Sequence, residues 1–159
     1  MFRVGTGFDV HAFTQGQSIT LCGIEIPFSK SLKGHSDADV ALHALTDAIL
    51  GALSLGDIGR WFPDSEPLWK NAKSEIFLNK ALELMKDRKM TIGNIDMTII
   101  CEQPKISIVH EKLIESVSKI CRIEKNVINI KGTTTENLGF TGREEGIASL
   151  CTVLLHEIK

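Results

Sequence analysis

An aspartate and a histidine two residues apart, Asp9 and His11, lie in the segment GTGFDVHAF near the start of the chain. The segment predicts a strand, and side chains at positions i and i+2 leave the same face of a strand. A second histidine, His43, lies in the middle of a predicted helix. Two imidazoles and one carboxylate form a ligand set that binds Zn²⁺ with an open fourth position. The sequence therefore indicates a metal site of Asp9, His11 and His43, if the fold brings the helix to the strand.

Two further carboxylates accompany His43 on the predicted helix. Asp39 and Asp47 lie one turn before and one turn after it, on the same face. A metal-bound histidine usually donates its other ring N–H to an acceptor, and either aspartate could be that acceptor. Without a metal, the same pattern is a polar helix face on which carboxylates orient a histidine. His43 alone favours this second interpretation, and the set with Asp9 and His11 favours the metal.

The segment GHSDAD places His35 and Ser36 at the predicted start of this helix. Backbone N–H groups at a helix start hold anions, and a histidine adds charge or a hydrogen bond. The alternative is an N-cap serine beside a surface histidine, which these residues alone favour.

A second polar cluster is the segment KGTTTENLGFTGREEG, residues 131–146. Its three consecutive threonines, Thr133–Thr135, with Lys131 and Arg143, are suited to cradle a phosphate, although this is not a Walker A sequence. Glu136 follows directly, and a carboxylate beside phosphates commonly holds Mg²⁺ or Mn²⁺. A β-turn, or a strand of β-branched threonines, explains the composition equally well.

Three other charged residues are weak signals when taken singly. Lys105 in EQPKIS is a candidate anion ligand, but an exposed lysine is more often a solubilising charge. Asp57 and Asp64 lie in a loop predicted over residues 54–72, where they are suited to bind substrate hydroxyls but are more often turn residues.

The chain has 159 residues and a net charge of −2, with 43% hydrophobic and 24% charged residues. This length favours a single domain over residues 1–159. The charge gives no sign of nucleic-acid or membrane binding. We expect no signal peptide and no membrane-spanning segment, because no uncharged apolar run is long enough.

The four cysteines are far apart and form no CxxC pair, which argues against a zinc ribbon or a redox motif. Three of them lie in apolar surroundings, as small core residues do. We therefore expect a reduced protein of the cytoplasm.

Hydrophobic periodicity predicts an intermixed set of strands and helices. Strands are predicted at 2–10, 91–102, 126–133 and 146–158, with a hairpin at 18–28; helices are predicted from Ser36–Asp37 through residue 53, at 74–89 and at 106–122. The predicted fold class is α+β, a single domain whose mixed β-sheet has helices packed on one face.

Taken together, GFDVHAF, HSDADVALHALTDAILGALSLGDIG, FPDS and KGTTTENLGFTGREEGIA resemble, in order and spacing, the 2-C-methyl-D-erythritol 2,4-cyclodiphosphate synthases. The resemblance covers nearly the whole chain. It implies a cyclising, CMP-releasing phosphorus–oxygen lyase of non-mevalonate isoprenoid precursor biosynthesis. Such an enzyme converts 4-diphosphocytidyl-2-C-methyl-D-erythritol 2-phosphate into the cyclic diphosphate. It needs no side-chain nucleophile.

The resemblance also implies roles for individual residues. Asp9, His11 and His43 would bind Zn²⁺, one ion per subunit, and Glu136 would hold Mg²⁺ or Mn²⁺ with the substrate diphosphate. His35 and Thr134 would stabilise the transition state. The implied substrate contacts are Ser36, Asp57, Gly59, Phe62, Asp64, Cys101, Lys105, Ile106, Ser107, Thr133, Thr134, Phe140 and Arg143.

The family assembles as homotrimers with each active site between two subunits, zinc side from one and cytidine side from the next. Phe140 and Arg143 would then lie near the central axis, where some members hold an isoprenoid phosphate.

The chain departs from the family after Lys105, where PKISIVHEKL lacks a frequent Pro-His pair. This departure bears on the side chains of the cytidine pocket. A bacterial cytoplasm is the expected location, with a plastid as the alternative.

Two rival functions belong to other classes. A zinc hydrolase would carry a water at the open metal position and release a linear product. A non-enzymatic binding module would hold structural zinc and an anion. The lack of cysteine ligands disfavours this module. A binding module would also give the second polar cluster, residues 131–146, no function.

Overall fold

The structure, a computed structural model, describes residues 1–63 and 65–158. Its strands are β1 (Phe2–Gln15), β2 (Ser18–Leu21), β3 (Ile24–Pro27), β4 (Lys30–Leu32), β5 (Met90–Ile100), β6 (Ile128–Thr133) and β7 (Gly146–Glu157). Its helices are α1 (Val40–Ala52), α2 (Ile58–Trp61), α3 (Ser74–Asp87), α4 (Ile106–Cys121) and α5 (Gly139–Gly142), with 3-10 turns at Pro67–Trp69 and Lys125–Val127.

Five strands form one mixed sheet in the order β4–β1–β7–β5–β6. The β5–β6 pair is parallel and is joined through α4, while β1, β4, β5 and β7 pair antiparallel. β2 and β3 form a separate hairpin. The predicted α+β class and mixed sheet are confirmed.

Helix α1 packs directly on β1 because two glycines let the backbones approach. A Cβ atom at Gly5 would lie 1.9 Å from the carbonyl oxygen of Ala48, and one at Gly7 would lie 2.0 Å from that of Ala44. The opposite face of β1 carries Phe2, which is 74% exposed. The helix that bears His43 is thereby held against the strand that bears the Asp-x-His pair.

The predicted start of α1 at Ser36–Asp37 was two to three residues too early. Asp39 is the N-cap, and its carboxylate accepts a hydrogen bond from the backbone N–H of Leu42 at 3.0 Å. Ala38 has a φ of +55°, which takes the chain out of helical geometry just before the cap. His35 and Ser36 therefore precede the helix and are not in its first turn.

Strand β1 runs five residues beyond the prediction of 2–10. Pairing to β7 continues through Ala12, and pairing to β4 then carries the strand to Gln15. The predicted loop 54–72 contains α2 and the first 3-10 turn. In the described part of the chain, no helix is long and apolar enough to cross a membrane.

Candidate active site

Three polar side chains converge where β1 meets α1, and we call Asp9, His11 and His43 the metal triad. Asp9 Oδ2 lies 3.0 Å from His11 Nε2 and 3.1 Å from His43 Nδ1, and the two ring nitrogens are 3.1 Å apart. One ligand atom from each residue therefore faces a common point. The predicted convergence of helix and strand is confirmed.

The electrostatics of the triad favour a bound positive charge. Burial by itself raises the pKa of Asp9, but the hydrogen bonds and charges of His11 and His43 outweigh burial and hold this pKa well below its usual range. Burial lowers the pKa of His11, yet its hydrogen bond to Asp9 and the charge of that carboxylate raise it overall. An ionised carboxylate between two imidazoles is suited to attract a proton or a metal cation.

Each histidine of the triad has a partner for its other ring nitrogen. His11 Nδ1 lies 2.8 Å from the carbonyl oxygen of Lys33, so Nδ1 carries the hydrogen and the Nε2 lone pair faces the triad. His43 Nε2 lies 2.8 Å from Ser74 Oγ and 3.2 Å from Ser36 Oγ.

The expected partners of His43, Asp39 or Asp47, were wrong. The Asp39 carboxylate accepts N–H groups from Cys22 and Gly23 as well as its cap bond, and Asp47 accepts the N–H of Ile58 at 2.7 Å. Burial raises the pKa of both carboxyl groups. Both aspartates therefore hold backbone segments in place. The sequence analysis did not select Ser74, the observed partner of His43, because its only signal is a hydroxyl at the start of a helix.

A cavity of about 520 Å³ opens over the triad, and we call it the metal cavity. The predicted catalytic residue His35 lines it, as do the predicted substrate contacts Ser36, Gly59 and Phe62. Asp57 is instead the N-cap of α2, where it accepts the N–H of Arg60 at 3.0 Å. Asp64 lies outside the described residues.

A second cavity, of about 480 Å³, gathers another predicted group, and we call it the Lys105 cavity. It is lined by six predicted residues, Cys101, Lys105, Ile106, Ser107, Thr133 and Thr134, and by others including His110 and Asn129, which sequence reasoning did not select. Burial raises the pKa of Cys101 to about 11, so this thiol is neutral near pH 7 and is no nucleophile. The two cavities share no lining residue.

The threonine segment leaves β6 and turns beside the Lys105 cavity. Thr133 ends the strand, and Thr134 Oγ1 donates to Glu136 Oε1 at 2.8 Å. Glu102 Oε1 accepts the N–H groups of Thr135 and Asn137 at 3.1 and 3.3 Å. The segment is therefore part strand and part turn, and a carboxylate from after β5 holds the turn.

Phe140 and Arg143 line neither of these two cavities. Phe140 is 40% exposed in α5, and Arg143 Nε pairs with Glu145 Oε1 at 2.8 Å. Their expected position on a trimer axis stays a prediction.

The YgbB family model matches residues 2–156. The chain belongs to this family. The 2-C-methyl-D-erythritol 2,4-cyclodiphosphate synthase of Cereibacter sphaeroides is 54% identical to it over 153 residues, which are 96% of each chain. The resemblance seen in the motifs is confirmed.

A longer relative and a more distant one also match this YgbB-family chain. The bifunctional enzyme IspD/IspF of Rhodobacter capsulatus is 55% identical over 153 residues, and the chain spans only 40% of that protein's length. The structure of IspF from Plasmodium falciparum in complex with CDP has a TM-score of 0.88 at 34% identity, and the match covers 99% of this chain and 97% of that one. The described fold is thus the fold of these synthases.

Proposed function

We propose that the chain catalyses the cyclisation of 4-diphosphocytidyl-2-C-methyl-D-erythritol 2-phosphate to 2-C-methyl-D-erythritol 2,4-cyclodiphosphate with release of CMP. The near full-length match to a synthase of that name carries the proposal. The substrate's 2-phosphate attacks the β-phosphorus of its own diphosphate, and the bond to the CMP oxygen breaks. This is a phosphorus–oxygen lyase reaction of isoprenoid precursor synthesis.

The metal triad fits a zinc ion by its donor set. Two imidazole nitrogens and one carboxylate oxygen face one point, and the hydrogen bond from His11 Nδ1 to the Lys33 carbonyl leaves Nε2 free to ligate. A bound divalent cation would neutralise phosphate charge and polarise a phosphoryl oxygen. Glu136 is exposed and stands beside Thr134, which supports its proposed role as the ligand of Mg²⁺ or Mn²⁺.

The other residues bind and orient. His35 and Ser36 line the metal cavity and would donate hydrogen bonds to the attacking phosphate, while Gly59 and Phe62 would enclose the methylerythritol. Lys105 and Thr134 line the other cavity and would bind the cytidyl diphosphate. In-line attack requires the two phosphates to be held together although they repel each other. Hydrogen-bond donors would orient them, and cations would neutralise their charge.

A homotrimer with shared active sites is part of this proposal. The metal-side and cytidine-side residues of one chain line two cavities with no lining residue in common, which supports a site completed by a second copy. The outer face of β1 carries Phe2, Val4 and Phe8, all more than half exposed, which is a surface suited to burial between copies. The four cysteines are free, in keeping with a proposed location in the cytoplasm.

Phosphorus NMR of the purified protein with the cytidyl substrate, Zn²⁺ and Mg²⁺ tests the proposal. The parent protein should yield the cyclic diphosphate and CMP, and His43→Ala should lose turnover. Ser118→Ala is the control, because Ser118 lies outside both cavities and its hydroxyl donates to the Ile123 carbonyl at 2.6 Å. It should retain turnover.

The same reaction run in ¹⁸O-labelled water separates the rival hydrolase. Cyclisation places no water oxygen in the product, whereas hydrolysis gives a labelled linear phosphate. A labelled linear product would overturn the proposal.

A further inference from the structure

Ser74 lies between a metal-triad histidine and a carboxylate. Its side chain is fully buried, and its Oγ is 2.8 Å from His43 Nε2 and in close contact with Asp37 Oδ1. The backbone N–H of Ser74 also donates to Asp37, at 3.1 Å to Oδ2 and 3.2 Å to Oδ1. The Asp37 carboxylate, the Ser74 hydroxyl and the His43 ring therefore form a continuous hydrogen-bond chain.

The chemistry of the groups sets the direction of each hydrogen bond. A carboxylate only accepts, so the Ser74 hydroxyl hydrogen points to Asp37. The Ser74 oxygen then has only lone pairs to offer His43, and Nε2 must carry the ring hydrogen. Ser36 Oγ, 3.2 Å from the same nitrogen, accepts the N–H of Ala38 and offers a second oxygen to Nε2.

The tautomer of His43 decides whether it can ligate. A neutral imidazole carries its hydrogen on one nitrogen and a lone pair on the other. With the hydrogen on Nε2, the lone pair is on Nδ1, which is the nitrogen that faces Asp9 and His11. The opposite tautomer would direct an N–H at the place of a cation.

We propose that Asp37 and Ser74 are positioning residues that hold His43 in its Nε2–H tautomer, with Nδ1 aimed at the metal. Asp37 acts through Ser74. The inference rests on the proposed metal site, to which it adds a means of orienting one ligand. Partners of this kind behind metal-bound histidines typically change metal affinity by 10- to 100-fold.

Asp37 and Ser74 also join two elements, since Asp37 precedes α1 and Ser74 is the first residue of α3. A purely structural role would make their substitution lower the free energy of unfolding without changing the ring tautomer of His43. The experiment therefore needs a readout that follows the ring itself.

The test measures the Zn²⁺ dissociation constant by competition with a chromophoric chelator in the full-length protein. Ser74→Ala should bind Zn²⁺ about 10- to 100-fold more weakly than the parent. Ser118→Ala is the matched control, because it removes a hydroxyl that donates to the Ile123 carbonyl at 2.6 Å at the far end of α4. It should bind Zn²⁺ within about 2-fold of the parent.

The double variant Asp37→Ala/Ser74→Ala tests the relay. If Asp37 acts through Ser74, the double variant binds Zn²⁺ no more weakly than Ser74→Ala alone. A further loss of ten-fold or more would overturn the relay, as would a folded Ser74→Ala variant with parental affinity.

Proton–nitrogen NMR of the Zn²⁺-loaded parent protein, with the His43 signals assigned by their loss in His43→Ala, shows which ring nitrogen carries the hydrogen when the metal is bound. The Nε2–H form is expected, and the Nδ1–H form would overturn the inference even if Ser74→Ala fails to fold. Failure of the parent to bind Zn²⁺ would instead contradict the proposed metal site, so the two failures are distinguishable.

Discussion

Glu102 is a residue whose effect on the candidate site is indirect. It lines neither of the two cavities described, yet its carboxylate accepts the N–H groups of Thr135 and Asn137. The turn that they belong to contains two residues of positive φ, Glu136 at +53° and Asn137 at +62°. Outside glycine such backbone needs support from its surroundings, and Glu102 supplies part of it. The positions of Thr134 and Glu136 therefore depend on this carboxylate.

We predict that Glu102→Ala lowers kcat/KM for the cytidyl substrate by about ten-fold or more, because two backbone N–H groups lose their acceptor and the turn loosens. Steady-state kinetics measures this loss. Glu102→Gln keeps one acceptor oxygen and should retain most activity. The Zn²⁺ dissociation constant should stay parental in both variants, and a weakened Zn²⁺ affinity would contradict the separation of the two groups of residues.

At the scale of elements, the contact between β1 and α1 builds the metal triad. Two triad residues are on the strand and the third is on the helix, so the separation of the two backbones sets the distance between the ligand atoms. Gly5 and Gly7 permit that separation, since any side chain there would meet helix backbone. Interiors are close-packed, and a contact this tight cannot absorb a methyl group without movement.

We predict that Gly7→Ala lowers the free energy of unfolding by about 1–3 kcal/mol, the usual cost of overpacking, and also weakens Zn²⁺ binding. Urea denaturation and chelator competition measure the two effects. Gly51→Ala is the control, because a Cβ there meets only the carbonyl oxygen of Thr6, at 3.9 Å, on an exposed position of the same helix. This control should be neutral or stabilising by up to about 1 kcal/mol, with parental Zn²⁺ affinity. Equal affinity in Gly7→Ala would show that α1 does not move when the contact is crowded.

At the scale of the whole molecule, the arrangement of the cavities bears on assembly. One chain presents a metal cavity and a Lys105 cavity with no lining residue in common. The alternation of β1 buries Gly5 and Gly7 under α1 and leaves Phe2, Val4 and Phe8 on the other side. A strand with one face on the core and an apolar face outward is suited to pack against another copy.

We predict that two inactive variants, His43→Ala and Thr134→Val, restore activity when they are co-expressed. If each active site takes its metal side from one subunit and its cytidine side from the next, random mixing leaves about a quarter of the sites with both sides intact. Turnover of the co-purified mixture, with its mass measured by light scattering, is the readout. Co-expression of His43→Ala with Asp9→Ala, both on the metal side, should stay inactive. An inactive first mixture of confirmed hybrid oligomers would mean that each site lies within one chain.

Local patterns determined much of this protein. Strict alternation put Asp9 and His11 on one face of a strand, because that geometry depends only on neighbours along the chain. The helices that begin near residues 74 and 106, the strands at 91–102 and 146–158, and the mixed sheet followed from periodicity, which local burial imposes. The family motifs carried the assignment of the remaining site residues.

Only the tertiary structure decided the partners of those residues. The hydrogen bond between Ser74 and His43 spans 31 positions, and no local pattern encodes a contact at that range. Asp39 and Asp47 lie one turn before and after His43, but their carboxylates bind backbone N–H groups instead of the histidine. Asp39 accepts from the turn of the β2–β3 hairpin, and Asp47 accepts from the first residue of α2. Strand β1 extends past residue 10 because β7 and β4 supply hydrogen-bonding edges there, and a chain read by itself does not show which edges will be available.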